Sequence, residues 1–537
     1  MKFSNIKNSL KGISHKDIYP YILICCVYSL THFLIIFNRG VFWDDWGLFN
    51  TDPRLIIERF NQTGSILTGE LHIGLLSIGD GIIPYRALTF ILFLISSLLL
   101  YSMFSNYKKI PQKFWLYLIL LIITLPFYSA RIALICFPYT LLYTFFIIGC
   151  WCTVKYVFNK NLVFLIFALS SFFISFFGSS TIFAFILPLG FVLYHSIKTE
   201  NGFSLSNIRN IVPYIFISLP IFFVMIKLIF LRPHGFYQNY NTITISHILN
   251  IPKRLVLYFF NNFLGTYIKI IPASVFIVII IIIGSILLFF AISRIGDDDM
   301  ELSSSYLFKL LIVGIFCFFL AAFPYLLAGK VASYIEWDSR HQLFIPFGMS
   351  LIIVSSVYLI AQNNWKHFLL PLIITACLVS TGMGYVDYQR DGFKMESIIQ
   401  QIQKDPLIYN STTIIFNDMI PDYNAIKRTY RFYEYTGWLK SAFGDEKRMG
   451  VNSIEEIKKI EPYISSELYN MGEYSKEDPT VLVTIHGGAY SIKEPLSVIN
   501  LLLLNYFSPQ DYYSIIPDII KVNSALINTT SIQLNND

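Results

Sequence analysis

Trp43-Asp44-Asp45-Trp46 sets two adjacent carboxylates between two indoles, immediately after the first long apolar segment of the chain. Ionisable side chains at the mouth of a membrane helix are costly, which makes such a pair a candidate for function. A lone aspartate there reads as a loop turning polar as it leaves the bilayer. A pair flanked by tryptophans, which anchor at headgroup level, reads differently. In an extended segment neighbouring side chains point to opposite sides, so one carboxylate can face a reacting group while the other orients backbone or a cation. The chemistry open to the first is proton abstraction as a general base. The pair could also hold a divalent cation together with water and a substrate phosphate.

The elements that position this pair follow from composition. The chain has 537 residues, 55% hydrophobic and 17% aromatic, with 14% charged residues against roughly 25% in soluble domains. That is the composition of a polytopic α-helical membrane protein. The net charge of +6 is spread through short loops and not gathered on one stripe, which argues against nucleic acid as a partner. Cys25, Cys26, Cys136, Cys150, Cys152, Cys317 and Cys377 all lie in or beside apolar segments, where they act as small hydrophobes, not as a disulfide framework or metal set. The run from Tyr19 to Phe37 follows Lys2, Lys7, Lys11 and Lys16 and leaves through Asn38-Arg39-Gly40, which predicts a retained anchor, not a cleaved signal.

A spanning helix takes about 20 apolar residues, and on that criterion about eleven segments qualify. They centre on 19–37, 84–104, 114–130, 133–154, 161–177, 179–197, 211–231, 272–292, 306–328, 342–361 and 366–383. With a cytoplasmic N-terminus the inside loops carry Lys108, Lys109, Lys113, Lys155, Lys160, Lys198, Arg209, Arg294 and Lys366, as the positive-inside rule requires. An odd number of spans then puts the C-terminus outside. Three outside segments are long enough to build something: 38–83, 232–271 and 329–341. In the first, Asp52 as N-cap and Pro53 at the first helical position predict a short interfacial helix with Leu55, Ile56 and Phe60 toward the bilayer. In the second, the stretch from Ser246 to Phe263, interrupted by Lys253 and Arg254, suits another helix in the headgroup plane. Residues 1–383 thus form the transmembrane domain.

From about Tyr385 the composition becomes that of a soluble domain, 384–537, long enough to bury its own core. Strands at 412–416 and 480–485 alternate with helices at 396–404 and 454–460, which predicts an α/β layer on the outside of the membrane. The stretch Tyr430 to Trp438 is rich in aromatic residues that could stack on sugar rings, or equally form a core helix. Sequons at Asn61, Asn410 and Asn528 are expected by chance in a chain this rich in Asn and Thr.

An acidic pair in the first outside loop, directly after the first membrane helix and followed by an interfacial helix and many further spans, resembles the GT-C superfamily of integral membrane glycosyltransferases. The resemblance covers the architecture of 1–383, and its sequence-specific part is Trp43 to Trp46. It implies an inverting glycosyltransferase that moves a sugar from a polyprenyl-phosphate carrier to a cell-surface glycan or glycolipid, such as a cell-envelope polysaccharide, on the outer face of the membrane. Asp44 would be the base and Asp45 its partner, or the reverse. Cationic groups must then meet the charge developing on the departing phosphate. Arg340 leads, because guanidinium binds phosphate in bidentate fashion, with His341 beside it, Lys330, Arg131 and Arg232 following, and His234 as a loop companion. Trp43, Trp46, Trp337 and His72 would line the substrate site. Each has a plainer reading, Arg340 as an interfacial anchor and His72 or His234 as ordinary packing or loop histidines. Asp297-Asp298-Asp299 falls on the inside and reads as a solvated charge run, so no resident metal site is expected.

The rival reading is a transporter or flippase for a lipid-linked glycan, and a third is a non-catalytic scaffold that presents the C-terminal domain. Transporters carry charged or broken helices at the bilayer midplane, whereas Ala273 to Ile292 is free of charge. Heavy use of Ile, Lys, Asn and Phe suits a bacterium with an A/T-rich genome, and hence the bacterial cytoplasmic membrane.

Overall fold

The computed structural model describes residues 15–199, 208–239, 242–270, 274–296, 301–330, 337–361, 364–464 and 480–527. Asp297-Asp298-Asp299 lies outside the described residues. Among those described, eight helices are long and apolar enough to cross a membrane: Ile18–Phe37, Ile83–Ser105, Leu134–Asn159, Ser179–Ser196, Ile211–Phe230, Val275–Ser293, Ser304–Leu327 and Trp365–Ile402. The polytopic membrane architecture therefore holds, but the count of eleven does not follow from it. The other three expected spans are the shorter apolar helices Gln112–Thr124, Leu162–Ser175 and Ile345–Ile360.

The first of these shows why. Leu125 has the extended ψ of 130° that a residue preceding proline favours, and Pro126 cannot continue the helix. The chain instead passes through the 3-10 turns Ser129–Ile132 and Leu134–Cys136 before the helix Phe137–Asn159 begins. A 13-residue helix covers about 20 Å, against about 30 Å of hydrocarbon. Phe114, Leu116 and the run Leu118–Leu121 are fully buried, so this helix is surrounded by protein. An apolar run in the middle of a bundle looks like a span in sequence because both are hydrophobic on all sides.

Trp365–Ile402 is one continuous helix of 38 residues. Its first half buries Leu370, Ile374 and Cys377 in the bundle, and its second half buries Asp391, Lys394 and Ile398 against the C-terminal residues. The division expected at 383/384 falls inside it, and the helix expected at 396–404 is its last turns. Beyond it a mixed sheet forms in the order β2-β1-β3-β4. Strand β1 (Thr413–Asp418) pairs in parallel with β2 (Met449–Val451) and β3 (Thr480–Gly487), and β4 (Ile520–Ile527) lies antiparallel to β3 from Thr480↔Ile527 to Gly487↔Ile520. Ile414, Phe416, Val481, Val483 and Ile485 fill its core. The expected α/β layer is present, with both expected strands close to their places.

The helix announced by Asp52 and Pro53 runs Pro53–Gln62, and the Asp52 carboxylate accepts from the Arg54 N–H at 2.8 Å. Its apolar face does not turn to the bilayer as expected. Ile56 is buried, and the Phe60 ring stacks at 5.0 Å on His72 of the next short helix, Ile66–Leu76. That second apolar helix offers protein surface where the sequence pattern alone suggested lipid. The stretch expected around 246–263 forms Ile245–Leu249 and Ile251–Ile270, with Tyr258 and Phe259 packed on Phe318 of a spanning helix at 5.6 and 5.2 Å.

The three loop segments expected on one side of the membrane meet one another. The His234 N–H donates to the Gln62 carbonyl at 2.9 Å, Gln342 donates to Asn262 at 2.8 Å, and the Ala130 N–H donates to Ser339 Oγ at 2.8 Å. The C-terminal part joins them, with Tyr506 edge-on to Phe37 at 5.2 Å. The helix carrying Tyr506, Pro495–Phe507, exposes Leu496, Leu503 and Phe507. What lets the long helix lie against the loop after the first spanning helix is a glycine pair. A Cβ on Gly40 would stand 3.1 Å from the Gly392 Cα and 2.6 Å from Phe42 Cζ. Gly40→Ala should therefore destabilise the protein by about 1–3 kcal/mol through overpacking. A thermal unfolding midpoint in detergent equal to wild type would contradict this contact.

Candidate active site

The acidic pair lies on a 3-10 turn, Trp43–Gly47. Trp43 enters it at φ 50°, the left-handed region, which costs a bulky residue roughly 1–2 kcal/mol. The surroundings hold it there. The Trp43 N–H donates to Glu434 at 3.2 Å, and its ring packs on Trp337 at 5.6 Å and Tyr388 at 5.8 Å. The two carboxylates diverge, as expected, but from a tight turn and not an extended segment.

Asp45 turns inward and is fully buried. Its Oδ2 accepts from the Leu134 N–H at 2.9 Å and the Phe42 N–H at 3.3 Å, and its Oδ1 accepts from the Ile135 N–H at 2.9 Å. Leu134 and Ile135 belong to the 3-10 turn that opens because Pro126 ended the preceding helix, so those amides have no helical partner of their own. Burial lifts the Asp45 carboxyl to about 7, opposed by these amides and by Arg86. Arg86, also buried, donates to the carbonyls of Asn38 and Gly40 at 2.5 Å and fixes the start of the same loop.

Asp44 turns the other way and stays half-buried. It is hydrogen-bonded to the Tyr433 hydroxyl and faces Arg340, Arg431 and Arg59. Burial raises its carboxyl above the usual range, while Arg340, the Tyr433 hydroxyl, Arg431 and Arg59 pull it back. The Arg340 guanidinium lies over the Trp337 ring at 4.3 Å, donating to the Trp337 carbonyl at 2.9 Å and to Asp338 at 3.2 Å. Trp43, Trp337 and Arg340 thus form a stack beside Asp44. Arg59 reaches the Gly47 carbonyl at 2.5 Å and closes the far end of the turn.

A buried ionic network holds Tyr433 and Glu434 in place. Arg428 donates to Asp391 at 2.7 Å and Glu434 at 2.5 Å, and its guanidinium sits over Phe42, Trp43 and Tyr430. The Tyr430 hydroxyl donates to Asp391 at 2.6 Å, and Lys394 donates to Asp418 and Asn424, each at 2.6 Å. Removing one partner of such a cluster leaves an uncompensated buried charge.

Of the residues expected at the site, Asp44, Arg340, Trp43 and Trp337 come together. His341 is buried and packs on Tyr325 at 4.7 Å. Lys330 closes the last turn of its helix, its N–H donating to the Tyr325 carbonyl. Arg131 is buried with its Nε on the Tyr128 carbonyl at 2.6 Å, and lines a cavity of about 320 Å³ between Val275–Ser293 and the long helix. Arg232 and His234 are exposed beside Gln62. His72 is buried between Phe60 and Tyr85, with Nδ1 at 2.8 Å from the Tyr85 hydroxyl. Trp46 lines a further cavity of about 230 Å³, with Phe49, Gln389 and Tyr512 among its walls.

The donor set does not fit a divalent cation at the pair. Both Asp45 oxygens are taken by N–H donors, and the groups around Asp44 are a phenol and three guanidiniums, which oppose a second positive charge. Tyr433, Arg431 and Arg59 were not distinguishable in sequence as site residues. The available signal was Glu434, which accepts from the Arg431 N–H at 3.1 Å three residues before it and so starts the helix Phe432–Phe443 at this point. Most of the aromatic stretch is core, with Tyr430, Tyr435 and Trp438 buried together.

Comparison with protein-family models and with curated proteins finds no match to this chain.

Asp45→Asn replaces one acceptor oxygen with a donor facing an amide, and should destabilise by about 1–3 kcal/mol. The pH dependence gives a second check. The folded carboxyl, at about 7, binds its proton more tightly than the unfolded one at about 3.9, so its contribution to stability declines as pH rises between about 4 and 7. Unfolding midpoints across that window should show a shallower decline in Asp45→Asn than in wild type; parallel curves would refute the assignment.

Proposed function

We propose that the protein is an inverting glycosyltransferase that takes a sugar from a polyprenyl-phosphate carrier and passes it to a glycan or glycolipid hydroxyl, at the extracytoplasmic face of a bacterial cytoplasmic membrane. The observation that carries this reading is Asp44, a half-buried carboxylate with a phenol and three guanidiniums around it, on the face where the outer segments meet the C-terminal sheet domain. Asp45 is the less suitable base, because its proton-accepting positions are already filled.

In the proposed reaction the acceptor hydroxyl attacks the anomeric carbon as Asp44 removes its proton. The bond from that carbon to the phosphate oxygen breaks, and polyprenyl phosphate leaves with the electron pair. Arg340 offers guanidinium N–H donors to the phosphate, and its stacking on Trp337 limits the freedom lost on binding. Arg431, exposed and near enough to act on the Asp44 carboxyl, is the second cation. Tyr433 orients the base.

Asp44→Asn should reduce transfer from a polyprenyl-phosphate sugar to an acceptor by about 10²–10⁴-fold, the usual contribution of a general base. Undiminished transfer would overturn the reading. The acid limb of the pH profile gives an independent test. The base must be ionised and its carboxyl is raised, so activity should fall on acidification at a higher pH than an ordinary aspartate would give. The Tyr433 hydrogen bond lowers the Asp44 carboxyl, so Tyr433→Phe should move that limb to still higher pH. A shift to lower pH would exclude Asp44 as the titrating base.

A further inference from the structure

Arg131 is 9% exposed, and among the described residues no carboxylate lies within ion-pair distance of it. Its Nε donates to the Tyr128 carbonyl at 2.6 Å, and its guanidinium carbon stands 4.9 Å from the centre of the Phe93 ring and 5.3 Å from that of Tyr128. Nη1 and Nη2 have no protein acceptor among the described residues, yet neither is sealed from the surface. A cation withdrawn from water without a counter-charge is costly. Arg131 lines two spaces. One, of about 30 Å³, has the size of a single water molecule; the other is the cavity of about 320 Å³ between Val275–Ser293 and the long helix.

The rest of that cavity is mainly apolar or already paired. Ile277, Ile281, Ala376, Val379 and Met383 form much of the wall. The hydroxyls of Ser129, Thr381 and Tyr385 are taken by Ser339, the Thr124 carbonyl and His32 at 3.0, 2.6 and 2.9 Å. The carboxylate in the lining, Asp387, is paired with Arg390 at 2.7 Å. Gly384 adds a separate observation. Glycine inside a helix costs about 1 kcal/mol relative to alanine, and close packing is its usual reason. A Cβ on Gly384 would meet no atom within 4 Å, unlike one on Gly40. The helix therefore leaves room there for something other than this chain. The place also has a depth. Val275–Ser293 contributes only residues from its first two turns, and Ile426 of the sheet domain joins the lining, so the cavity lies at the end of a spanning helix, where headgroups sit.

We infer that this cavity binds an anionic phospholipid of the bilayer, with its phosphodiester on Arg131 and the start of an acyl chain along the half-buried Val379 and Met383. One unpaired guanidinium matches the single charge of a phosphodiester, and its fixed position between two rings limits the freedom lost on binding. The beginning of Val275–Ser293 exposes Val275, Phe276 and Val278 beside the site, which gives a lipid a direct approach. A sugar donor is the less suitable occupant. The cations that face Asp44 are Arg340, Arg431 and Arg59, and neither Asp44 nor Arg340 lines this cavity. The assignment therefore does not rest on glycosyl transfer at Asp44.

Native mass spectrometry of the full chain in detergent, titrated with phosphatidylglycerol and with phosphatidylcholine of the same acyl chains, tests it. Wild type should retain phosphatidylglycerol more tightly than phosphatidylcholine, whose choline cation Arg131 repels. Arg131→Gln should weaken the phosphatidylglycerol complex by about 10–100-fold, the effect of one lost hydrogen bond to a charged group. Gly384→Leu fills the cavity from a position with free space and favours the helix, and it should abolish the complex while the protein stays folded. Asp44→Asn should bind the lipid as wild type does, so that a failure of transfer and a failure of this site are read separately. Glycerol 3-phosphate and polyprenyl phosphate serve as competitors, and neither should displace the phospholipid at equal concentration. The inference is overturned if phosphatidylglycerol binds no better than phosphatidylcholine, or if Arg131→Gln or Gly384→Leu retains it as wild type does. It is overturned equally if glycerol 3-phosphate displaces it, which would make this a site for free phosphate, or if polyprenyl phosphate does, which would make it part of the donor site.

Discussion

The Asp45 carboxylate, accepting three backbone N–H groups in the dry interior, is the interaction on which the sheet-domain face of this protein depends. It ties the loop after the first spanning helix to a stretch of backbone that cannot satisfy itself, because Pro126 stops one helix and the next begins only at Phe137. Without an acceptor at that point, the amides of Leu134 and Ile135 would be buried and unpaired. Without those amides, a carboxylate could not be buried there. Each makes the other tolerable, and the turn that results aims Asp44 outward.

The same turn is gripped from the opposite side. Glu434 accepts from the Trp43 N–H and is itself held by Arg428, which also binds Asp391 on the long helix. The bundle and the sheet domain therefore do not merely touch. They share a loop whose left-handed residue, Trp43, is stabilised by contacts from both. One helix, Trp365–Ile402, supplies packing to the bundle with one half and charged partners to the sheet domain with the other. Relative movement of the two parts would have to break buried ion pairs, at a cost of several kcal/mol each. The geometry around Asp44 is consequently set by a turn that buried ion pairs hold on two sides.

The membrane class, the α/β character of the C-terminal region, its two main strands and the Asp52-Pro53 helix start were all legible in sequence. Each rests on a local signal: an apolar run, an alternation of segments, a cap. What was not legible depends on long-range packing. A helix buried on all sides by protein, such as Gln112–Thr124, cannot be told from one buried in lipid. Ile56 and Phe60 marked an apolar face, but only the fold shows that Ile66–Leu76 covers it. The roles of Asp44 and Asp45 could not be separated, because the amides that occupy Asp45 lie some ninety residues away in sequence. Tyr433 and Arg431 were hidden for the same reason, being nearly four hundred residues from the carboxylate they face.

Trp43 and Trp46 looked equivalent as anchors flanking an acidic pair, and the fold gives them different work. Trp43 is a platform. It carries Trp337, which carries Arg340, and it lies under the Arg428 guanidinium that steadies Glu434. Its burial places a cation beside Asp44 without leaving that cation to a flexible loop. Trp46 instead seats its indole on Gly437 and turns toward the cavity bounded by Gln389 and Tyr512. Interfacial anchoring alone would ask only that both rings sit at headgroup depth, whereas both are almost wholly buried in protein. Two large aromatic side chains withdrawn from lipid, on a turn that already bears backbone strain, are better explained by what they hold in position than by where the bilayer ends.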